Sequence, residues 1–259
     1  MAIRREEAFV LKRSPVRETS LLVTLFSRGS GKIKVLAKGV RREKNPLSAN
    51  LEPFTRLTAV YYEKVRSDTH LASEMTVLDS NSYIRSHLDR FSYASYLVEL
   101  VDALFGIHDS HSDVFDLLGS SFVLLQSVPA VRIARVFEIK LLEEAGLLPI
   151  FTHCILCGDV QRSNGSGAEA LPVFFSARQG GIVCRKCDRN EIGTIRISSG
   201  TVQSVLFFLK TTPEQAVKLC LSQQTERELE SISQKFLQFR LEHPLRTAHF
   251  LSEVKPLFR

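Results

Sequence analysis

Short apolar runs separated by turn-forming residues fill the first 80 residues, a pattern typical of β-strands. Apolar or alternating stretches at 8–11, 21–26, 32–37, 57–62 and 70–78 predict about five strands. The polar sequence Lys12-Arg13-Ser14-Pro15 is predicted to end the first strand, and the glycines within 27–31 predict a tight turn. Because closure removes exposed strand edges, five short strands fit a small closed barrel.

Beyond residue 80 the apolar positions recur every three or four residues, which is typical of amphipathic helices. This period predicts helices at 84–105, 112–127, 130–145, 198–211, 213–221 and 224–241. Gly146 and Pro149 are expected to end the third helix, and Thr225 with Glu228 predicts a capping box on the last one. Two prolines within 244–259 predict only partial order in that segment.

Residues 151–195 interrupt the helical pattern and hold four of the five cysteines. The predicted fold class is therefore α+β with several domains. We expect a β-barrel domain at 1–80, a helical domain at 81–150 and 196–250, and a four-cysteine module at 151–195.

The cysteines form two Cys-x2-Cys pairs, Cys154 with Cys157 and Cys184 with Cys187, separated by 26 residues. Two tight turns of this kind can aim four thiolates at one tetrahedral Zn²⁺. Two disulfides would require an oxidising compartment, a redox pair would need one such motif, and a catalytic zinc would keep one position open. We therefore predict a structural Zn²⁺ as the cofactor.

Cys220 is set apart from these pairs. It lies beside Leu219 and Leu221 in a predicted helical stretch. We interpret it as a small buried apolar residue, because free cysteine is often buried.

The positive charge is concentrated at one end of the chain. Lys and Arg number 34 against 28 Asp and Glu, a net charge of +6, and residues 1–80 hold 15 basic and 9 acidic side chains. The remaining residues hold 19 of each. Such asymmetry favours contact of the first third with a polyanion, and a solvated basic surface is the alternative.

The basic segment from Lys32 to Lys44 contains six cations and one acid. The alternation predicts that Lys32 and Lys34 share an outward strand face, and Gly39 lets the backbone turn close to a ligand. Lysine and arginine along a groove suit phosphate binding. The candidate nucleic-acid-binding residues are Lys12, Arg13, Lys32, Lys34, Lys38, Arg41, Arg42 and Lys44.

Aromatic residues accompany this basic region and can either stack on bases or fill the barrel core. The five candidates are Phe9, Phe26, Phe54, Tyr61 and Tyr62. Most of them stand inside apolar runs, which favours the core.

Several short motifs follow one another in a specific order along residues 3–250. They are Ala8-Phe9-Val10-Leu11, Glu18-Thr19-Ser20-Leu21, Leu25-Phe26-Ser27, Gly31-Lys32, Ala37-Lys38-Gly39-Val40-Arg41-Arg42, Leu51-Glu52-Pro53-Phe54, Val136-Phe137-Glu138-Ile139-Lys140-Leu141-Leu142, Ala145-Gly146-Leu147-Leu148-Pro149 and the cysteine pairs with Phe174-Phe175-Ser176 and Gly180-Gly181. In this order the sequence resembles the RecO family of bacterial recombination mediators.

The resemblance implies an N-terminal OB-fold, a helical domain and a zinc module that interrupts the helical part. It also implies binding of single- and double-stranded DNA, annealing of complementary strands, and a cytoplasmic, nucleoid-associated location. The implied partners are RecR, the single-strand-binding protein SSB and, indirectly, the recombinase RecA. The resemblance further implies that the acidic C-terminal tail of SSB docks on the helical domain, where Arg132 and Arg135 are candidate carboxylate partners. A solvated face paired with Glu138 is the alternative for these arginines.

No nucleotide-binding or hydrolase motif is present in the sequence, and no stretch approaches 18 apolar residues. We therefore expect a protein that is not an enzyme and does not bind membranes, with no secretory signal. The alternative function is that of an OB-fold and zinc-ribbon protein that binds RNA or the ribosome.

Overall fold

The computed structural model describes residues 2–16, 18–41, 51–64, 66–159, 173–189 and 192–258. The chain forms two compact units. Unit 1 contains Met1–Ala130 and Leu245–Arg259, and unit 2 contains Val131–Pro244.

Unit 1 is built on a closed five-stranded barrel. Its strands are β1 (Ala2–Val16), β2 (Ser20–Ser27), β3 (Gly31–Ala37), β4 (Arg56–Glu63) and β5 (Thr69–Asp79). They neighbour one another in the order β1-β2-β3-β5-β4, with β3 and β5 parallel and the other pairs antiparallel. The predicted OB-like barrel is confirmed.

The prediction that the first strand ends at Lys12 is wrong. β1 continues to Val16, and a register shift between Val10 and Lys12 bends it, so that its first half pairs with β4 and its second half with β2. Among the described residues this second half pairs with β2 alone, where Pro15 lies opposite Leu21. Such an edge tolerates proline, because no second neighbour needs the missing N–H.

The barrel core consists of small and branched side chains that point inward, including Val10, Val23, Ile33, Val35 and Leu57. Alternate residues point outward, and helices cover part of that outer surface. The helical elements of unit 1 are α1 (Ser82–Arg85), α2 (Leu88–Leu104), α3 (Ser112–Leu124), α9 (Arg246–Val254) and a 3-10 helix at Lys255–Phe258. The predicted helix 84–105 is thus divided in two.

The partial order predicted for 244–259 is wrong, because α9 has a distant cap. The carboxylate of Glu99 in α2 accepts hydrogen bonds from the backbone N–H of Arg246 (3.0 Å) and of Thr247 (2.8 Å). A carboxylate at this position also opposes the positive end of the helix dipole. The cap lies about 150 residues away in sequence, and no local pattern shows it.

Unit 2 combines helices with a small antiparallel sheet. The helices are α4 (Ala130–Glu144, whose first residue ends the N-terminal part of unit 1), α5 (Arg185–Asp188), α6 (Ser199–Lys210), α7 (Pro213–Ala216) and α8 (Gln223–Arg240). The strands β6 (Val173–Ser176), β7 (Gly181–Val183) and β8 (Ile195–Ile197) follow the order β7-β6-β8. The predicted helix at 130–145 is confirmed, and Gly146 after it has a φ of 66°.

Two finer predictions in unit 2 are wrong. The helix predicted at 213–221 ends at Ala216, and the cap of α8 is Ser222 rather than Thr225, since the Ser222 hydroxyl accepts from the Thr225 N–H at 3.1 Å. The carboxylate of Glu228 instead accepts from the N–H and the hydroxyl of Ser198, each at 2.8 Å. It therefore ties α8 to the start of α6. Across the described residues, no helix has the length and apolarity needed to cross a membrane.

We expect Gly31→Ala to destabilise the protein far more than Gly39→Ala. Both glycines have positive φ, 64° and 72°, so alanine costs about 1–2 kcal/mol at either position. A Cβ at Gly31 would lie 1.8 Å from the carbonyl oxygen of Asp109, whereas nothing lies within 4 Å of one at Gly39. Urea unfolding of both variants tests this, and equal losses would contradict the close approach at Gly31.

Candidate metal centre and nucleic-acid interface

The four predicted cysteine ligands come together in unit 2. Cys154 and Cys157 lie in a tight turn closed by the Gly158 N–H, which donates to the Cys154 carbonyl at 2.8 Å. Cys184 and Cys187 lie where β7 passes into α5, and the Cys187 N–H donates to the Cys184 carbonyl at 3.1 Å. Gly158 has a φ of 73°, which explains the glycine after the first pair.

The sulfur positions suit one metal ion. All four Sγ atoms lie within 4.8 Å of one another, and the Cys157 and Cys184 sulfurs are 3.8 Å apart. A tetrahedral site with bonds of about 2.3 Å has sulfur–sulfur edges of about 3.8 Å. All the cysteines are free, so the cluster contains no disulfide. The four-cysteine group can therefore hold a metal ion.

The thiols also share their protons unequally. Burial raises the pKa of Cys154, but the backbone N–H groups of Cys184, Cys157 and Leu156 outweigh it and lower this pKa to about 7. Hydrogen bonding to the Cys184 and Cys157 thiols raises the pKa of Cys187 to about 12. Four adjacent thiolates repel one another, so a bound cation is what allows all of them to lose their protons.

Cys220 is exposed and does not belong to the cluster, so the expectation of a buried residue is wrong. The reason is the early end of α7 at Ala216. Residues 217–222 lie outside the helices, so no helical face carries Cys220 into the core.

The predicted basic residues divide into two groups, of which the first is paired with carboxylates. The Lys12 ammonium lies 2.5 Å from the Asp102 carboxylate, Lys32 lies 3.2 Å from the same group, and Arg13 pairs with Glu52. Burial raises the pKa of Asp102, but the hydrogen bond from Lys12 and the charge of Lys32 outweigh it, and the pKa lies below its usual value. These cations are thus paired within the protein, although the Lys12 side chain remains exposed.

Lys32 departs most from the prediction. Its side chain points away from the barrel core, as the alternation predicts, but α2 covers it and leaves it 11% exposed. The Lys32 ammonium also donates to the Asp102 carbonyl, so this residue fastens α2 to β3. It is unsuited to contact a ligand in solution.

The second group lies along and after the end of β3. Lys34 is half-buried and Lys38 is exposed, and neither makes an ion pair with another described residue. Arg41 is exposed, and its N–H donates to the Thr19 carbonyl at 3.0 Å, which fixes this segment beside the β1–β2 turn. Arg42 and Lys44 lie outside the described residues.

The β4–β5 connection adds two cations that the sequence analysis missed. Lys64 and Arg66 are exposed there, and the connection enters β5 at Thr69, which pairs directly with Lys34. In OB-folds the β1–β2 and β4–β5 loops flank the oligonucleotide-binding face. The signal available in the sequence was a pair of cations, two residues apart, between two predicted strands.

Among the five aromatic candidates, one is placed to meet a ligand. Phe9, Phe26 and Phe54 are buried against aromatic residues of unit 1 helices or their ends, and Tyr61 is buried at 1% exposure. Tyr62 is half-buried, and the alternation along β4 points it outward beside its register partner Leu71 of β5. Leu71 in turn pairs with Leu36, which stands between Lys34 and Lys38 on β3. The outer barrel surface thus carries an apolar row next to these lysines.

The two arginines of α4 are less exposed than the sequence suggests. Arg135 is buried and forms an ion pair with the buried Glu138 at 2.7 Å, so the pairing named in the alternative is present, but its solvated face is wrong for this pair. Arg132 is half-buried and donates to the Val217 carbonyl at 3.3 Å. Its Nε is buried and has no hydrogen-bond partner among the described residues.

Comparison with known proteins gives one consistent result. Residues 1–81 match the family described as "Recombination protein O N terminal", and residues 85–249 match "Recombination protein O C terminal". The "DNA repair protein RecO" of Alkaliphilus metalliredigens is 30% identical over 240 residues, which cover 92% of this chain and 94% of that protein.

Two further relatives with the same name extend this similarity. The protein of Caldicellulosiruptor saccharolyticus is 30% identical over 255 residues, 97% of this chain and 98% of that protein. The protein of Anaeromyxobacter dehalogenans is 31% identical over 249 residues, 96% of this chain and 95% of that protein. The similarity therefore extends over both compact units.

Proposed function

Because this chain belongs to the RecO family of DNA repair proteins, we propose that it is a DNA-binding recombination mediator. In this proposal it binds single- and double-stranded DNA in the bacterial cytoplasm and anneals complementary strands without acting as an enzyme. Together with RecR it helps to load RecA onto strands that SSB coats.

The observation that carries the proposal is the set of cations around the end of β3. The five residues are Lys34, Lys38, Arg41, Lys64 and Arg66. The exposed acids nearby are Glu18 in the β1–β2 loop and Asp68 in the β4–β5 loop. Five cations against these two acids leave a local excess of positive charge. Phosphate neutralisation supplies affinity without base sequence preference, and Tyr62 offers a ring on which a base can stack.

We propose Zn²⁺ as the metal in the four-cysteine cluster, held by Cys154, Cys157, Cys184 and Cys187. The metal supplies folding free energy there, because four protein ligands close its coordination shell. The donor set consists of thiolates alone, which suits Zn²⁺ and disfavours Mg²⁺ or Ca²⁺.

The proposed partners rest on family membership together with α4. For the acidic tail of SSB, Arg132 is the better candidate, because Arg135 is buried with Glu138. Arg132 is only half-buried, so the accessible part of its guanidinium can donate to a carboxylate of a bound peptide.

The proposed function is tested by measuring the binding of a labelled single strand at increasing salt, followed by addition of its complement. If the five cations each neutralise one phosphate, log K falls with log salt at a slope of about −3.5. Annealing then proceeds without ATP. A flat slope, or the absence of binding at low salt, would overturn the proposal. Tight binding of structured RNA without annealing would support the alternative of an RNA-binding protein.

A further inference from the structure

The balanced charge of residues 81–259, with 19 basic and 19 acidic side chains, conceals a local excess. The segment 178–196 contains five cations and two acids, a net charge of +3. The cations are Arg178, Arg185, Lys186, Arg189 and Arg196. The local concentration of charge decides what a surface binds, and the average over 179 residues does not show it.

Four of these cations lie on two elements of the four-cysteine module, α5 and β8, that both neighbour β6, or directly at the end of one of them. Arg185 and Lys186 are exposed in α5, Arg189 is exposed at its end, and α5 packs beside β6. Arg196 is exposed on β8, and its register partner on β6 is Phe174. Opposite residues of antiparallel strands share one face of the sheet, so Arg196 and Phe174 lie side by side.

Phe174 is available on that face. Its neighbour Phe175 points the other way and packs on Phe151 and Phe236 in the core of unit 2, with ring centroids 5.8 and 6.2 Å away. Phe174 is half-buried. This face therefore sets an aromatic ring beside the Arg196 guanidinium, and α5 next to β6 adds three exposed cations, the combination that binds single-stranded nucleic acid.

No carboxylate neutralises these four cations within the described residues. The nearest acid in sequence, Asp188, accepts a hydrogen bond from the Thr194 hydroxyl at 2.7 Å and forms no ion pair there. In the barrel, by contrast, Arg4, Arg28 and Arg56 each pair with a carboxylate. Unpaired cations at this density match a polyanionic partner.

We propose that Arg185, Lys186, Arg189 and Arg196, with Phe174, form a second DNA-binding surface that takes a single strand. Annealing brings together two strands of the same charge, and a protein with two separate cationic surfaces can hold both of them. The role in annealing rests on the proposed function. The surface itself consists of residues of unit 2 and needs none of the barrel cations.

A second reading of the same cations is electrostatic support of the metal. A dication with four thiolates carries a net charge of about −2, which nearby cations offset. This reading predicts that reversal of the charges weakens metal binding. The DNA-binding reading predicts that the metal stays bound, and the two readings are therefore separable.

The test uses the full chain with Arg185→Glu, Lys186→Glu and Arg189→Glu together. The matched control is Lys210→Glu, Lys218→Glu and Lys235→Glu, three exposed positions of the same unit with the same change in charge. We expect the first variant to anneal complementary strands about tenfold more slowly than the control. Since about three phosphate contacts are lost, the salt slope of annealing should weaken by about 2.

A second measurement decides the inference even if the wild-type protein does not anneal. In a Lys34→Glu, Lys38→Glu background, single-strand binding at low salt should be about 100-fold weaker but still measurable, and the three module substitutions should remove what remains. Residual binding that survives them, or annealing equal to the control, would overturn the second surface. Loss of metal from the module variant would also overturn it, in favour of electrostatic support of the metal.

Discussion

Cys157→Ser is expected to release the metal and to lower the melting temperature by about 10 °C or more, whereas Cys220→Ser should leave both unchanged. Both thiols are exposed, so neither substitution removes much packing from the core. The two cysteines differ in that Cys157 lies within 4.8 Å of three other sulfurs and Cys220 does not. A large effect at Cys157 must therefore act through the metal.

A chelator supplies the control for this prediction. It should lower the melting temperature of the wild-type chain and of Cys220→Ser to that of Cys157→Ser, and should not lower the latter further. Metal analysis of the purified proteins should give about one zinc per chain for the first two and none for the third. Equal melting of all three proteins with and without chelator would exclude a structural metal.

The features predicted correctly from the sequence have local causes. The five strands follow from alternating and apolar runs, the helix Ala130–Glu144 follows from its period and from Gly146, and the metal cluster follows from the spacing of two cysteine pairs. Each signal is complete within about 15 residues, apart from the distance between the cysteine pairs. That distance is tolerated because loop closure depends weakly on length.

The features that could not be predicted from the sequence depend on contacts between residues that are distant in the chain. Lys32 and Lys34 alternate in the same way along β3. Asp102, 70 residues after Lys32 in the sequence, forms an ion pair with Lys32 but not with Lys34. Likewise Lys64 and Arg66 belong to the candidate interface because Thr69, which follows them, pairs with Lys34. Which cations are available to a ligand is a property of the pairing of strands and helices.

The same reasoning explains the length of β1. A proline predicts the end of a strand if the strand is assumed to pair with a neighbouring strand on both sides, and Pro15 therefore indicated an early end of β1. Barrel closure gives the two halves of β1 different neighbours, and the half with Pro15 has β2 alone within the described chain. The error was therefore one of topology rather than of local propensity.

Lys34→Glu with Lys38→Glu should reduce the affinity for single-stranded DNA by about 100-fold at low salt and reduce the salt slope by about 1.4, since two phosphate contacts are lost. The fold should be preserved, because neither lysine pairs with a carboxylate among the described residues. The equivalent change at Lys12 would be uninformative, since Lys12 holds Asp102.

The matched control is Lys210→Glu with Lys218→Glu, which changes the net charge equally at exposed positions in and after α6. Titration of a labelled strand at several salt concentrations gives both affinity and slope for each protein. If the control loses as much affinity as the barrel variant, the effect comes from total charge, and the barrel face is not the site. A loss confined to the barrel variant, with an unchanged melting temperature, would place the phosphate contacts at Lys34 and Lys38, beside the β1–β2 and β4–β5 loops.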